Sequence, residues 1–432
     1  MAKKLSSVLG VDIGSQSIKI CEIRSQGKEP VVTALGIIDT PEGAVDHTGV
    51  YNSDAVGSAL KQVLSQSGAS VAQVVVSIAG QASVLVRTLE VPKMNPAELK
   101  EHMQWEINRN IPFAESTIVS DFRPLGGDDP NSPNMDVVMA IAPQSAIDTI
   151  MACVKKAGRS TSAIDVEPLS IARSIRRSYE DILGDKTVCV VDIGHKTTCI
   201  NIYHGDRLLM PRQVPVGGEL FTKAIADAFS VSVDDAERLK VEQCQIPEWA
   251  GNAVASADPF GGGGVTAGFQ AYNPFADDPL PFAPAPSAPD PSTASFSDEP
   301  SASPFDEPPA YSSEPPVSDA SHAPVPVDDS EAGRIYNAIA PILDEFVSEV
   351  RRSIDYYRSR GGDIDAVELC GGGAKLGGLT PYLSKSLGIE CDAYDPLRRL
   401  NVNARKVASG FVDEHRQAFT VAVGNGLHIF FD

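Results

Sequence analysis

The tetrapeptide Val-Asp-Ile-Gly occurs twice in this chain, at residues 11–14 and again at 191–194, each time closing an apolar run and opening an alternating one. Residues 8–23 read VLGVDIGSQSIKICEI and residues 188–203 read VCVVDIGHKTTCINIY, so Asp12 is matched by Asp192 and Gly14 by Gly194. An apolar run that turns on one glycine and returns with period-two alternation predicts a β-hairpin. One such hairpin needs no special reading, because Asp and Gly favour turns for backbone reasons. Two of them 180 residues apart are too widely separated for a solenoid repeat and predict one turn from each of two related lobes.

The chemistry that suits such a pair is a polyphosphate clamp. A glycine after the aspartate lets the backbone approach a ligand, and the amides of Gly14, Ser15 and Gln16 can then form an anion nest. Hydroxyls of Ser15, Ser17, Thr197 and Thr198 add donors, and Lys19 and Lys196 offer positive charge. Asp12 and Asp192 cannot touch phosphate without repulsion, so the expectation is that they hold Mg²⁺ through its retained waters. A third element, VELCGGGAKLGGL at 367–379, places three glycines after a short apolar strand. It reads either as a plain strand-to-helix turn or as a close backbone approach to a flat or charged ligand, and it is neither a GxGxxG nor a GxxxxGK[ST] motif.

In this order the three elements resemble the phosphate-1, phosphate-2 and adenosine motifs of the actin-like ATPase superfamily, which includes actin, FtsA and MreB. The resemblance implies two α/β lobes that close over Mg-ATP. Asp12, Gly14, Ser15, Gln16, Ser17 and Lys19 would hold phosphates and metal from the first lobe, with Asp192, Gly194, Lys196, Thr197 and Thr198 opposite. Gly371, Gly372, Gly373, Ala374 and Lys375 would lie against the adenosine. Residues 216–225, VGGELFTKAI, resemble the Gly-Gly and helix after phosphate 2, bringing Gly218, Glu219 and Lys223 towards ribose and base. Without the resemblance, Glu219 and Lys223 are an exposed i,i+4 pair.

Within the superfamily, KMNPAELKEHMQWEINRNIPF (93–113), AIDVEPLSIAR (163–173) and the segment 345–396 resemble the PilM family of type IV pilus assembly. The resemblance spans roughly 6–245 and 331–432. It implies a two-lobed α/β actin-like fold with an inserted α+β subdomain of the SHS2 type and a long disordered, acidic, Pro-rich loop. The expected division is a first lobe at 1–86 and 161–187, an inserted unit at 87–160, and a second lobe at 188–245 and 331–432 that returns to the first. The implied function is that of an ATP-binding cytoplasmic adaptor, recruited to the inner face of the inner membrane. Its partner would be a PilN-like single-span protein whose short cytoplasmic N-terminal peptide docks between the first lobe and the inserted unit, and the pilus assembly ATPases are further implied partners. Hydrolysis is expected to be weak or absent, since no motif specifies a catalytic residue. His195, in the phosphate-2 turn, either contacts phosphate or faces solvent. The alternatives are an FtsA-like membrane filament, which would call for a basic amphipathic helix where this chain reads AVGNGLHIFFD, and a small-molecule kinase, against which the inserted unit argues.

Charge and composition narrow the partners. A net charge of −21 argues against binding nucleic acid or an anionic lipid surface. No apolar stretch reaches the roughly 20 residues of a membrane span, and the polar hairpin begins too early for a signal peptide. Seven scattered cysteines without a CxxC pair predict reduced core residues rather than disulfides or zinc. Between Ile246 and Ser330 lie thirteen acidic residues, no Lys or Arg, and seventeen of the 32 prolines, so 246–330 is expected to be disordered, its repeated Pro-Phe pairs being low-complexity composition or docking stickers. Elsewhere, residues 54–67 predict a helix with Val56, Leu60, Val63 and Leu64 on one face. Asn95, Pro96 and Glu98 predict the capped start of another, on which Trp105 reads as packing or as a partner contact. Strands near 117–124 and 135–142 and a helix at 143–157 are expected to complete the inserted unit.

Overall fold

The computed structural model of the protein describes residues 5–114, 117–126, 131–247 and 330–431. Most of the segment expected to be disordered, 248–329, lies outside the described residues. Its predicted edge shifts slightly, because Ile246 is 1% exposed and its amide donates to the Gly377 carbonyl at 2.8 Å. The second lobe therefore runs through Ile246.

The N-terminal strands β1 (Ser7–Ile13), β2 (Ser17–Gln26) and β3 (Glu29–Asp39) form an antiparallel meander. Helix α1 (Ser53–Ser67) starts where the Asn52 side chain accepts the Ala55 amide and ends at Gly68 in the left-handed region. Its stripe Val56, Leu60, Val63 and Leu64 is buried, as the spacing predicts. Strand β4 (Gln73–Ile78) then pairs parallel to β1.

The chain next leaves this sheet for a unit of its own: β5 (Leu85–Pro92), α2 (Pro96–Arg109), β6 (Ile118–Pro124) and β7 (Asn134–Pro143). The strands form an antiparallel sheet in the order β5-β7-β6. Asn95 and Glu98 make both halves of the capping box, and Leu99, Met103 and Ile107 bury the helix on the sheet with Val137, Met139 and Ile141. Trp105 stays 54% exposed under the Arg109 guanidinium.

One expectation is corrected here. Helix α3 (Gln144–Lys156) does not complete the inserted unit, because Ile150, Cys153 and Val154 sit in the first-lobe core with Leu60 and Val63 of α1. Strand β8 (Ser160–Val166) closes that lobe beside β4.

Helices α4 (Glu167–Ser178) and α5 (Glu180–Leu183) carry the chain into a second sheet. Strands β9 (Thr187–Ile193), β10 (Thr198–His204) and β11 (Arg207–Val214) repeat the first meander. Helices α6 (Gly218–Phe229), α7 (Val233–Gln243) and the long α8 (Glu331–Ser359), whose cap is Ser330, pack on one another, and α8 also meets β11. Strand β12 (Ala366–Cys370) joins parallel to β9, helix α9 (Leu379–Leu387) follows, and β13 (Cys391–Ala393) forms the edge, giving the order β11-β10-β9-β12-β13.

The chain then returns to the first lobe. Strand β14 (Asn401–Val402) adds to β3, completing the order β14-β3-β2-β1-β4-β8. Helices α10 (Phe411–His415), α11 (Thr420–Gly426) and α12 (His428–Phe431) follow. Helix α11 lies close on β1 and α4: a Cβ on Gly424 would fall 1.9 Å from the Ser170 carbonyl oxygen, and one on Gly10 would fall 2.1 Å from that of Ala422. Six of the seven cysteines are buried and Cys199 is half-buried.

Candidate functional site

The β1–β2 and β9–β10 turns face each other across a cleft of about 510 Å³. They close alike: the Gly14 amide donates to the Ser17 carbonyl at 3.1 Å, and the Gly194 amide to that of Thr197 at 3.0 Å. The Gly14 amide is thereby consumed, which corrects the expected nest. The amides of Ser15 and Gln16 have no hydrogen-bond acceptor among the described residues. Asp12, Ser15, Gln16, Ser17, Lys19, Asp192, Lys196 and Thr197 all line the cleft.

Thr198 does not. It is fully buried, and its hydroxyl donates to the Val216 carbonyl at 2.6 Å. Its position shares the parity of Ile200 and Ile202, both in the core, so strand alternation turns it inward. Lys19 is not poised for an anion either, since its Nζ lies 3.1 Å from Asp12 Oδ2, with both side chains largely buried.

The second turn is seated on α6. The Gly194 carbonyl accepts the Gly218 amide at 3.0 Å, and that of His195 accepts the Glu219 amide at 2.8 Å. Only glycine fits at 217, where a Cβ would fall 2.5 Å from the His195 oxygen. Gly218 reaches the cleft, but the Glu219 carboxylate pairs with Lys223 at 3.2 Å and Lys196 at 3.9 Å, and Lys223 is 54% exposed. That pair is a helix-surface pair. The cleft wall is formed instead by Glu237 and Lys240 of α7, with Lys240 Nζ at 2.7 Å from Glu237 Oε2, 2.8 Å from Thr222 Oγ1 and 3.1 Å from the Gly218 oxygen. His195 also lines the cleft, where burial lowers its pKa.

The glycine run divides its labour. Gly371 has φ of +81°, and a Cβ there would meet Asp192 Oδ1 at 2.3 Å, so it packs on the phosphate-2 strand rather than facing a ligand. Gly373 lies on Ile193 but also lines the cleft. A Cβ on Gly372 would meet nothing within 4 Å, leaving open space at the cleft. Ala374 is buried, and Lys375 reaches the rim, where its Nζ is 3.3 Å from His415 Nδ1.

Glu167, at the start of α4, is the residue that the motifs missed. Burial, together with the charges of Asp12 and Asp192, pushes its carboxyl up to about 8. Burial and Asp12 push Asp192 up to about 6. Three carboxyls thus converge on the floor of the cleft, held apart in charge by protonation and by Lys19. Among the described residues no three His, Cys, Asp or Glu side chains are grouped to hold a metal directly. Two hard carboxylates without a third ligand suit a cation that keeps most of its waters, as Mg²⁺ does, and the acidic surplus fits its charge.

The raised values carry a sign. A carboxyl whose pKa is higher in the folded state stabilises the fold fully below its unfolded value and ceases to do so as pH rises through the folded one. Melting temperature without Mg²⁺ is therefore expected to fall between pH 5.5 and 8.5, with Glu167→Gln removing a large part of the fall. Glu368, raised to about 7 by burial and by Asp392, and Asp192, raised to about 6, contribute to the remainder. An equally steep fall in the Glu167→Gln variant would place the titrating group elsewhere.

The sequence pattern of the family described as Type IV pilus assembly protein PilM matches residues 10–259. That of cell division protein FtsA matches residues 189–424. Among curated proteins the chain is similar to FtsA of Neisseria meningitidis serogroup B, 24% identical over 256 residues that cover 54% of this chain and 60% of that protein. It is also similar to FtsA of Pseudomonas aeruginosa, 26% identical over 271 residues, 56% of this chain and 63% of that one. The chain thus spans less than two thirds of the length of these relatives. Among solved structures it is similar to the PilM-PilN type IV pilus biogenesis complex, with a TM-score of 0.71 and 23% identity over 100% of both chains, a likeness of fold. With the pilus-assembly pattern covering more than half of a two-lobed actin-like fold, the chain belongs to the PilM family.

Proposed function

We propose that the protein binds Mg-ATP between its lobes and acts as a cytoplasmic adaptor of a type IV pilus or related secretion machine. It would dock the cytoplasmic N-terminal peptide of a PilN-like inner-membrane protein, and this partner would bring it to the inner face of the membrane. The observation that carries the nucleotide half is the facing of two Asp-Ile-Gly turns across one cleft with a glycine run at its wall. Asp12 and Asp192 would hold the cation through its waters. Ser15, Gln16, Ser17, Lys196 and Thr197 would take phosphate oxygens, and Glu237, Lys240, Gly372 and Lys375 would bracket the nucleoside. Bound Mg²⁺ would neutralise phosphate charge. Glu167 would accept a proton from water only once ionised, and in the metal-free cleft burial and the charges of Asp12 and Asp192 push its carboxyl up to about 8.

The partner half rests on family membership and on an inserted unit, 85–143, with a core of its own. Among the described residues no helix is long and apolar enough to cross a membrane. An extended peptide loses chain entropy on docking, so a peptide of about fifteen N-terminal residues of the PilN-like protein from the same genome is expected to bind at roughly 0.1–10 μM. Fluorescence anisotropy checks this against the wild type and a variant with 87–141 replaced by a Gly/Ser linker, whose retained ATP binding certifies folding. The replacement spares α3 because that helix belongs to the first-lobe core. Binding that survives the replacement overturns the docking assignment, and no binding to the wild type overturns the adaptor reading. An FtsA-like filament is favoured by the pattern match at 189–424, and pelleting that requires Mg-ATP would support it.

A further inference from the structure

The hairpin β10–β11 has two working ends. One grows from the turn 194–197, where Gln213 Nε2 reaches back to Thr197 Oγ1 at 3.4 Å. The other lies the seven residues of β10 away, about 23 Å at 3.3 Å per residue, and turns at Gly205. There Arg207 Nη1 donates to the Gly126 carbonyl at 3.2 Å and lies 3.7 Å from Asp136 Oδ2. Thr88 Oγ1 donates to the Leu209 carbonyl at 2.6 Å. Leu125, Val86 and Val138 share a core with Tyr203 and Leu208 of the hairpin.

Gly126, Asp136 and Thr88 all belong to the inserted unit, whose two covalent connections lead from β4 and into α3, both in the first lobe. The unit is therefore joined to one lobe by the chain and to the other by non-covalent contacts at the far end of a phosphate-turn hairpin. Strand β10 pairs along its whole length with β9 and, through a register shift at Ile202–Tyr203, with β11, so its two ends are joined by continuous backbone hydrogen bonding within the second-lobe sheet. A partly exposed ion pair, at 23% and 33% for its two side chains, is weak enough to exchange without unfolding anything.

We propose that β10–β11 is a lever that carries the state of the phosphate-2 turn to the inserted unit, with Arg207 as its latch. The proposal rests on the nucleotide reading above and adds its route to the partner surface. Linkage makes the effect mutual, so a partner on the inserted unit alters nucleotide affinity by the same factor.

Amide hydrogen exchange of the full chain with and without Mg-ATP tests it without a partner. In the wild type, nucleotide is expected to change protection both at 193–198 and in β5 and β7. In Arg207→Ala, and to a lesser extent in Asp136→Asn, which keeps the Gly126 contact, the turn still responds while the response of β5 and β7 is reduced. With peptide added, the ratio of its affinities with and without Mg-ATP, about 5-fold or more in the wild type, falls towards 1 in the variants. An inserted unit that responds equally in the variants overturns the lever, as does a silent one in the wild type beside a protected turn. A turn that gains no protection refutes nucleotide binding itself, and the lever with it.

Discussion

Asp12→Ala is expected to abolish the gain in ATP affinity that Mg²⁺ confers, a loss of roughly 100-fold or about 2.7 kcal/mol, while leaving metal-free binding intact or slightly stronger. The asymmetry follows from one contact. Asp12 is paired with Lys19 at 3.1 Å, and both side chains are largely buried, so removing the carboxylate takes away one cation ligand and also releases an ammonium next to the phosphate turn. The released charge favours phosphate oxygens directly. Asp12→Asn separates the two effects, because the amide oxygen can still accept from Lys19 while the charge that attracts the cation is gone. Titration calorimetry with ATP, with and without Mg²⁺, is the measurement. Equal affinity in the two conditions for the wild type, unchanged by either substitution, would remove the clamp.

Gly424→Ala is expected to destabilise the fold by about 3 kcal/mol or more, read from the urea midpoint. The added carbon would stand 1.9 Å from the Ser170 carbonyl oxygen, and a backbone atom of α4 cannot swing aside as a side chain can. Helix α11 is pinned at the neighbouring residue: Asn425 Nδ2 donates to the Val11 carbonyl at 2.8 Å and to Ser77 Oγ at 2.7 Å, and its Oδ1 accepts from Ser170 Oγ at 2.6 Å. Any shift of the helix to relieve the clash would stretch these buried bonds, each of which is costly to leave unmade. Gly372→Ala serves as the contrast, since its added carbon meets nothing within 4 Å and the melting temperature should not change. A midpoint unaffected by Gly424→Ala would mean that α11 is less closely seated than described.

Much of the cleft was legible because its residues carry local reasons for being there. The paired Asp-Ile-Gly turns and the glycine run stand out as departures from apolar strands, and the box at Asn95 and Glu98 announces a helix start. Thr198 was also legible, since it shares parity with Ile200 and Ile202, but the motif obscured the alternation. Glu237 and Lys240 were not, because a charged pair three residues apart on a helix looks like any surface pair until the helix is placed. Glu167 was hidden for a similar reason: one acid at a helix start is ordinary, and only the approach of Asp12 and Asp192 perturbs it.

By itself, the sequence determined what depends on near neighbours in the chain: the hairpins and their turns, the caps, the apolar stripes, and the duplication that implies two lobes. The tertiary structure decided what depends on distance in space. An amphipathic helix such as α3 needs some core, and its stripe does not say which, so the choice of the first lobe over the inserted unit came from packing with α1. Lys19 needs an anion, and only the β1–β2 register, with Asp12 opposite Lys19, makes that anion Asp12. The Arg207 contacts with Gly126 and Asp136 join segments about 70 to 80 residues apart that share no periodicity, because hydrophobic burial positions both elements and the polar contacts form where their edges meet.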